Sequence, residues 1–204
     1  MKMTGAALAF TTLGFFANTA MAEDQSPWLI RARIVDVEPA NKSDPISGAG
    51  ASDRLAVSNK TIPELDISYF FTSNIAAELI LTYPQKHDVT LDGNNIGNFK
   101  ELPPTLTVQY HFNPSGSIRP YVGAGINHTN ISNVKLLNGT GSLEHSSVGG
   151  ALQAGVDFAV DKNWSINIDI KKVQISSDVS ISGTKVSTVQ VDPLLVGVGF
   201  GYRF

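Results

Sequence analysis

The chain has 204 residues, no cysteine and a formal net charge of −3. The length suits a single domain, and the lack of cysteine excludes a disulfide framework. The small acidic excess provides no basic surface of the kind that binds nucleic acid.

The first residues predict a secretory signal peptide. A positive start, Met1-Lys2, precedes an apolar stretch over residues 6–16 and the small-x-small cleavage pattern Ala20-Met21-Ala22. We therefore expect residues 1–22 to be removed and residues 23–204 to form a single transmembrane β-barrel domain. The rest of the sequence lacks the roughly 18 consecutive apolar residues that a membrane-spanning helix requires.

Eight later segments alternate apolar residues with polar or small ones, a period typical of β-strands. They are residues 28–38, 61–71, 75–83, 102–112, 119–130, 146–160, 164–175 and 191–204. The links between them are alternately short (72–74, 113–116, 161–163) and long (39–60, 84–100, 131–145, 176–185). This pattern predicts an all-β fold, an eight-stranded antiparallel transmembrane β-barrel with short periplasmic turns and long extracellular loops.

The terminal strand places the barrel in the bacterial outer membrane. It ends with the outward-facing aromatic residues Phe200, Tyr202 and Phe204. An exposed apolar edge of this kind is a hazard in water, whereas a closed barrel in lipid has no edge. The three aromatic residues resemble the C-terminal membrane assembly signal that the bacterial barrel assembly machinery recognises.

The aromatic residues also predict an interfacial girdle. From Trp28 onward there are 14, of which 12, Phe70 and Tyr121 among them, lie within five residues of a predicted periplasmic turn or chain end. Tyr83 and Phe99 are the exceptions. Amphipathic rings concentrate at the membrane–water interface, so we expect these residues to face lipid headgroups.

The sequence resembles the OmpW/AlkL family of small outer-membrane proteins. The matching stretches are WLIRAR at 28–33, LDISYFFTSNIAAEL at 65–79, LPPTLTVQYHF at 102–112, RPYVGAGIN at 119–127 and VDPLLVGVGFGYRF at 191–204. The resemblance implies a monomeric barrel, embedded in outer-membrane lipid, that passes small hydrophobic molecules inward without a cofactor.

The inward positions of the predicted strands carry charges of both signs. An eight-stranded barrel has an interior that side chains nearly fill, and unpaired buried charge is costly. We therefore expect a paired network that plugs the lumen. Its members are Arg31, Arg33, Glu64, Asp66, Glu78, Asp157, Asp169, Lys171 and Arg203.

A hydrophobic route past such a plug would leave the barrel sideways, as is proposed for the family. Pro103 and Pro104 lack backbone donors and could open a lateral gap between strands near the outer rim. The candidate residues for the hydrophobic solute route are Ile80, Ile131, Leu136, Leu137 and Val173. Ordinary loop packing and strand termination explain the same residues without transport.

Two other classes of function compete with transport. The segments His128-Thr129-Asn130 and His145-Ser146-Ser147 lack the ordered third group of a catalytic triad, so we expect no enzyme. The four histidines lie on separate segments without metal-ligand spacing, so we expect no metal site. The serious alternative is a plugged barrel that displays its loops as an adhesin, a receptor or a docking site for phage or bacteriocin. An apolar upper pocket with a lateral gap would favour transport, whereas charged packing up to the rim would favour display.

Overall fold

The computed structural model describes residues 26–204, so the predicted signal peptide, residues 1–22, lies outside the described residues. This part of the chain forms 15 β-strands. They are β1 (Trp28–Glu38), β2 (Lys42–Ser43), β3 (Leu55–Val57), β4 (Lys60–Phe70), β5 (Ile75–Leu81), β6 (Gln85–Leu91), β7 (Asn94–Leu102), β8 (Thr105–His111), β9 (Ile118–Leu136), β10 (Gly141–Leu143), β11 (Ser146–Ala159), β12 (Trp164–Val173), β13 (Ser176–Ile181), β14 (Thr184–Gln190) and β15 (Leu194–Arg203). Two single 3₁₀ turns, Ile46–Gly48 and Leu137–Gly139, lie among them.

Eight of these strands close into an antiparallel barrel, which confirms the predicted fold class. Their order around the wall is β1, β4, β5, β8, β9, β11, β12 and β15. The first and last strands complete the ring, with Leu29 opposite Arg203 and Glu38 opposite Leu194. Closure removes both sheet edges, as a sheet in lipid requires.

The outside of this barrel is an apolar belt. Strand β12 alternates strictly, so that Trp164, Ile166, Ile168 and Ile170 are exposed while the residues between them are buried. The other barrel strands expose large apolar side chains in the same manner. A continuous belt of this extent would aggregate in water and is what a lipid-embedded barrel presents. Among residues 26–204, no helix is long and apolar enough to cross a membrane.

Aromatic rings pack against one another at the periplasmic end of this belt. Tyr202 makes edge-to-face contacts with Trp164 and Phe204, with ring centroids 4.9 and 5.0 Å apart. The predicted assembly signal therefore faces outward, with Phe200 and Phe204 more than half exposed.

The long links alternate with the short turns as predicted, and two of them are largely β-hairpins rather than irregular loops. Strands β6 and β7 turn at Asp92-Gly93 with φ of 49° and 81°, and β13 and β14 turn at Ser182-Gly183 with φ of 50° and 82°. Positive φ at both central residues is the type I′ geometry that matches strand twist. The apolar–polar alternation that marks the barrel strands is absent from these segments, because their outward positions, such as Lys86 and Asp88, are charged rather than apolar. These hairpins therefore lie above the lipid.

The hairpins continue the wall of the barrel upward as a second ring, which we call the extracellular ring. It comprises β2, β3, β6, β7, the upper part of β9, β10, β13 and β14. The junction between β2 and β3 is closed by hydrogen bonds from the Asp53 amide to the Ser43 carbonyl (2.9 Å) and from the Leu55 amide to Ser43 Oγ (3.2 Å). The interior of this ring is an apolar core whose members include Val57, Val89 and Phe99.

Tyr121 and Phe70 pack inward, which contradicts their assignment to the lipid-facing girdle. Phe70 is 2% exposed and lies under the Arg203 guanidinium, and Tyr121 lies opposite Gly155. Tyr121 is 1% exposed, and a Cβ added to Gly155 would lie 2.4 Å from its ring and 2.8 Å from the Ile168 carbonyl oxygen. Tyr121 shares the inward parity of Gly123 and Gly125, which was the available signal. Gly155 is therefore the position that lets the ring lie across the lumen.

We expect Gly155→Ala to destabilise the barrel by about 1–3 kcal/mol, the usual cost of overpacking. Gly150→Ala is the matched control on the same strand, because its Cβ would meet only the flexible end of Gln174, at 3.1 Å. Urea unfolding of the refolded barrels, followed by heat-modifiable gel mobility, measures both. Equal midpoints for the two variants would show that Gly155 is not needed to accommodate Tyr121.

Candidate functional site

A charged network fills the membrane-embedded lumen, and Arg31 is one of its two central cations. Its Nη1 lies 2.6 Å from Glu78 Oε2, while Nε and Nη2 contact Asp157 Oδ1 and Oδ2 at 3.1 and 2.6 Å. The Arg31 side chain is fully buried. This bidentate geometry is the strong form of an arginine–carboxylate pair.

Arg33 and Lys171 bind the remaining carboxylates one layer above. Arg33 Nη1 lies 3.1 Å from both Glu64 Oε1 and Asp66 Oδ2, and 3.5 Å from Asp169 Oδ1. Lys171 Nζ contacts Glu64 Oε1 at 2.5 Å and Asp169 Oδ1 at 3.2 Å. The structure thus brings eight of the nine predicted lumen charges into one plug.

Neutral donors add hydrogen bonds to this plug, in which three cations face five carboxylates. The Tyr121 hydroxyl donates to Asp169 Oδ2 at 2.6 Å, and Gln153 Nε2 donates to Glu78 Oε1 at 2.9 Å and to Asp169 Oδ2 at 2.8 Å. Neither Tyr121 nor Gln153 was predicted to belong to the network. Buried carboxylates need such partners because desolvation is costly.

Arg203, the ninth predicted member, lies at the periplasmic end instead. Its Nε donates to the Ser26 carbonyl at 3.0 Å, and its guanidinium lies 3.9 Å from the centroid of the Phe70 ring. Its position ties the end of the last strand to the residues just before β1.

An apolar cavity of about 30 Å³ lies directly above the plug. Its floor includes Glu64 and Lys171, and Ile80 and Val173, two of the predicted route residues, line its wall. The other apolar lining residues are Val37, Ile62, Ile175, Pro103, Pro193 and Leu195. The character of the interior therefore changes from charged to apolar at the level of Lys171.

A second cavity, of about 20 Å³, lies within the core of the extracellular ring. It is lined by Ile131 and Leu136, two more of the predicted route residues. Leu137 was grouped with them, but it lies in the turn after β9, half-buried on an outer groove beside Ile96 and Asn138. The chain reverses at that turn, with φ of 49° at Leu137, so strand parity does not extend to this residue.

The barrel wall is interrupted beside the lower cavity. Pairing between β5 and β8 ends at Ile80–Thr105. Above this point, pairing resumes between β6 and β7 at Gln85–Glu101. The intervening residues are 81–84 on one side and 102–104, with the two predicted gap prolines, on the other. The segment 102–104 is held to β9, because Asn127 Nδ2 donates to the carbonyls of Pro103 and Pro104 at 3.1 and 3.2 Å.

A buried His–Glu pair lies above this interruption, outside the membrane-spanning segments. His87 Nε2 is 3.3 Å from Glu101 Oε1, Nδ1 is 2.8 Å from the Ser58 carbonyl oxygen, and the ring stacks on Phe99. Burial lowers the pKa of His87, but the Glu101 carboxylate outweighs burial, so the pKa is raised above its usual value. Neither residue was predicted to have a role, because His87 lies in the link 84–100, which was predicted to be a loop, and Glu101 directly follows it.

The four histidines lie at separate places in the fold. Among residues 26–204, no three histidine, aspartate or glutamate side chains are arranged to hold a metal ion.

The family assignment follows from the whole length of the barrel. The family model described as the OmpW family matches residues 25–204. The chain belongs to the OmpW family. It is therefore an outer-membrane β-barrel, and its lipid-facing belt lies in the outer membrane of a bacterium.

Individual relatives agree with this assignment. The uncharacterized outer-membrane protein y4mB of Sinorhizobium fredii is 44% identical over 195 residues, covering 92% of this chain and 84% of that protein. The crystal structure of the outer membrane protein OprG from Pseudomonas aeruginosa matches with a TM-score of 0.78 and 26% identity, covering 88% of this chain and 97% of OprG. The dibenzothiophene metabolism operon protein PahQ of Pseudomonas aeruginosa is 28% identical, covering 89% of this chain and 90% of PahQ.

We expect Arg31→Met to lower the free energy of unfolding of this OmpW-family barrel by about 3–5 kcal/mol, because Glu78 and Asp157 would lose their central cation. Arg54→Met is the matched control. It removes an ion pair to Asp92 that is open to water, and such pairs contribute little. Urea titration in detergent measures both variants. A similar midpoint for Arg31→Met and wild type would contradict a stabilising role for the network.

Proposed function

We propose that this OmpW-family barrel is a channel for passive uptake of small hydrophobic molecules rather than an enzyme. In this proposal, a solute enters from the extracellular ring, reaches the lower cavity and leaves sideways into the lipid. The charged plug supports this route, because a hydrophobic solute cannot cross a layer of buried ion pairs without desolvating or displacing them.

The observation that carries the proposal is the position of the wall interruption. The lower cavity is lined by Thr82, Gln85, Glu101, Pro103 and Thr105, which flank the missing stretch of the ladder. The apolar interior therefore meets the weakest part of the wall. On the outer surface of the barrel at this interruption, Leu81 and Tyr83 point toward the lipid.

The cavities are small, so transport requires movement. A volume of about 30 Å³ is close to that of one or two water molecules. A solute must part the side chains of the extracellular ring and then the segments on either side of the interruption. Wall segments without cross-strand hydrogen bonds are the ones that open at least cost.

The name of PahQ gives independent support for a hydrophobic solute. PahQ is described as a protein of a dibenzothiophene metabolism operon, and dibenzothiophene is a fused aromatic compound. By family relationship, we infer that the solute of this barrel also comes from the class of small, poorly water-soluble molecules.

The alternative is a barrel that only displays its extracellular surface. Tight packing of the ring is compatible with display, but an apolar interior beside a wall interruption is the arrangement that we expected of transport. Insertion by the barrel assembly machinery, a monomeric state and docking of phage or bacteriocin stay predictions.

We expect Ile80→Trp to slow the uptake of labelled naphthalene severalfold, because Ile80 is 4% exposed and lines the lower cavity. Leu79→Trp is the matched control, because Leu79 is next to Ile80 on the same strand but is 39% exposed and faces lipid. Uptake is measured in cells with wild type, either variant or an empty vector, after gel mobility confirms folding.

A small hydrophilic solute is measured alongside to detect leakage. Transport would be disproved by naphthalene uptake that is equal with wild type and empty vector, and display would then be favoured. Equal slowing by both tryptophan variants would disprove the proposed position of the path.

A further inference from the structure

Glu101 lines the lower cavity and carries a carboxylate oxygen that forms no hydrogen bond with the described residues. Glu101 is 2% exposed, and this oxygen is its Oε2. Buried polar atoms are almost always hydrogen-bonded, so such an atom calls for an explanation. Because Glu101 lines an apolar cavity, a solute that parts the side chains around the cavity would meet this acceptor.

Other polar side chains around this cavity are bonded to the protein. Asn127 Nδ2 donates to Thr105 Oγ1 at 2.8 Å, and Thr105 Oγ1 in turn lies 3.2 Å from the Pro103 carbonyl oxygen. Gln85 Nε2 donates to Thr82 Oγ1 at 2.9 Å. These contacts fix the wall, whereas Glu101 Oε2 has unused capacity to accept.

The environment of Glu101 favours a neutral donor over a cation. Its other oxygen, Oε1, is 3.3 Å from His87 Nε2, and the raised pKa of His87 favours the charged imidazolium, which balances the carboxylate. The charge of the Glu101 carboxylate is therefore already balanced by His87. A second cation would gain little from it and would lose hydration among the apolar residues nearby. A hydroxyl group requires only the free lone pairs of Oε2.

We propose that the lower cavity recognises small apolar molecules that carry one hydroxyl group, such as phenols and aryl alcohols, with Glu101 Oε2 accepting the hydroxyl hydrogen. This inference rests on the proposed function and narrows its solute class. Ile80, Val173 and Leu195 contact the apolar body of the solute, while Glu101 orients its polar end. Glu101 is thus the specificity-determining residue of the path.

Three probes of similar size isolate this interaction. p-Cresol carries a hydroxyl donor, p-xylene replaces it with methyl, and 4-methylanisole keeps the oxygen but has no donor. Uptake of each is measured in cells with wild type, Glu101→Gln or the empty vector and expressed relative to the empty vector. Asp88→Asn is the matched control, because it removes the same charge from the outer, exposed face of the same hairpin.

For wild type we expect the protein-dependent uptake of p-cresol to exceed that of p-xylene and 4-methylanisole by about tenfold, equivalent to ~1.4 kcal/mol. Glu101→Gln should reduce this ratio severalfold, and Asp88→Asn should leave it unchanged. If Glu101→Gln does not fold, the wild-type comparison of p-cresol with 4-methylanisole still tests the proposal, because equal uptake of the two probes would refute hydroxyl recognition.

Three results would overturn the proposal. Protein-dependent uptake of all three probes at equal rates would refute hydroxyl recognition while leaving hydrophobic transport intact. A p-cresol preference that Glu101→Gln leaves unchanged would refute the role of Glu101. Protein-independent uptake of all three probes would refute both hydroxyl recognition and the proposed function.

Discussion

The buried ion pairs of β1 are the constraint on which the rest of the barrel depends. Arg31 and Arg33 project inward from one strand, and their carboxylate partners come from β4, β5, β11 and β12. A lumen as narrow as that of an eight-stranded barrel leaves little water to solvate these charges. They must therefore find one another across the barrel. Their pairing fixes which strands face each other and leaves no straight path for a solute.

Above the plug, the distribution of apolar and charged residues between the two faces of the wall is reversed. Once the strands leave the lipid, outward positions become charged and inward positions become apolar, as in a soluble β-structure. The extracellular ring is thus held by its own core rather than by the membrane. The lower cavity lies where these two regimes meet, and that boundary is also where the hairpin ladder is interrupted.

Strand parity predicted most of the fold and the members of the plug, because inward and outward positions alternate without exception along segments such as β1 and β12. The partners of each charge could not be predicted, since they depend on register and on the tilt of distant strands. Parity does not extend to Leu137, which follows a chain reversal. Tyr121 is misassigned when residue type is preferred to parity, because parity correctly points it inward. The His87–Glu101 pair was missed because charged outward neighbours concealed the strands that carry it.

The length of β9 has a consequence for where a solute loses its water. Its 19 residues extend about 65 Å at the usual rise per residue, roughly twice what is needed to cross the hydrocarbon core even when tilted. The dry interior of the extracellular ring is therefore held well above the bilayer surface. A hydrophobic molecule that enters it would shed its hydration shell outside the polar headgroup layer. The free energy of removing the apolar solute from water would then be gained before the molecule meets that layer.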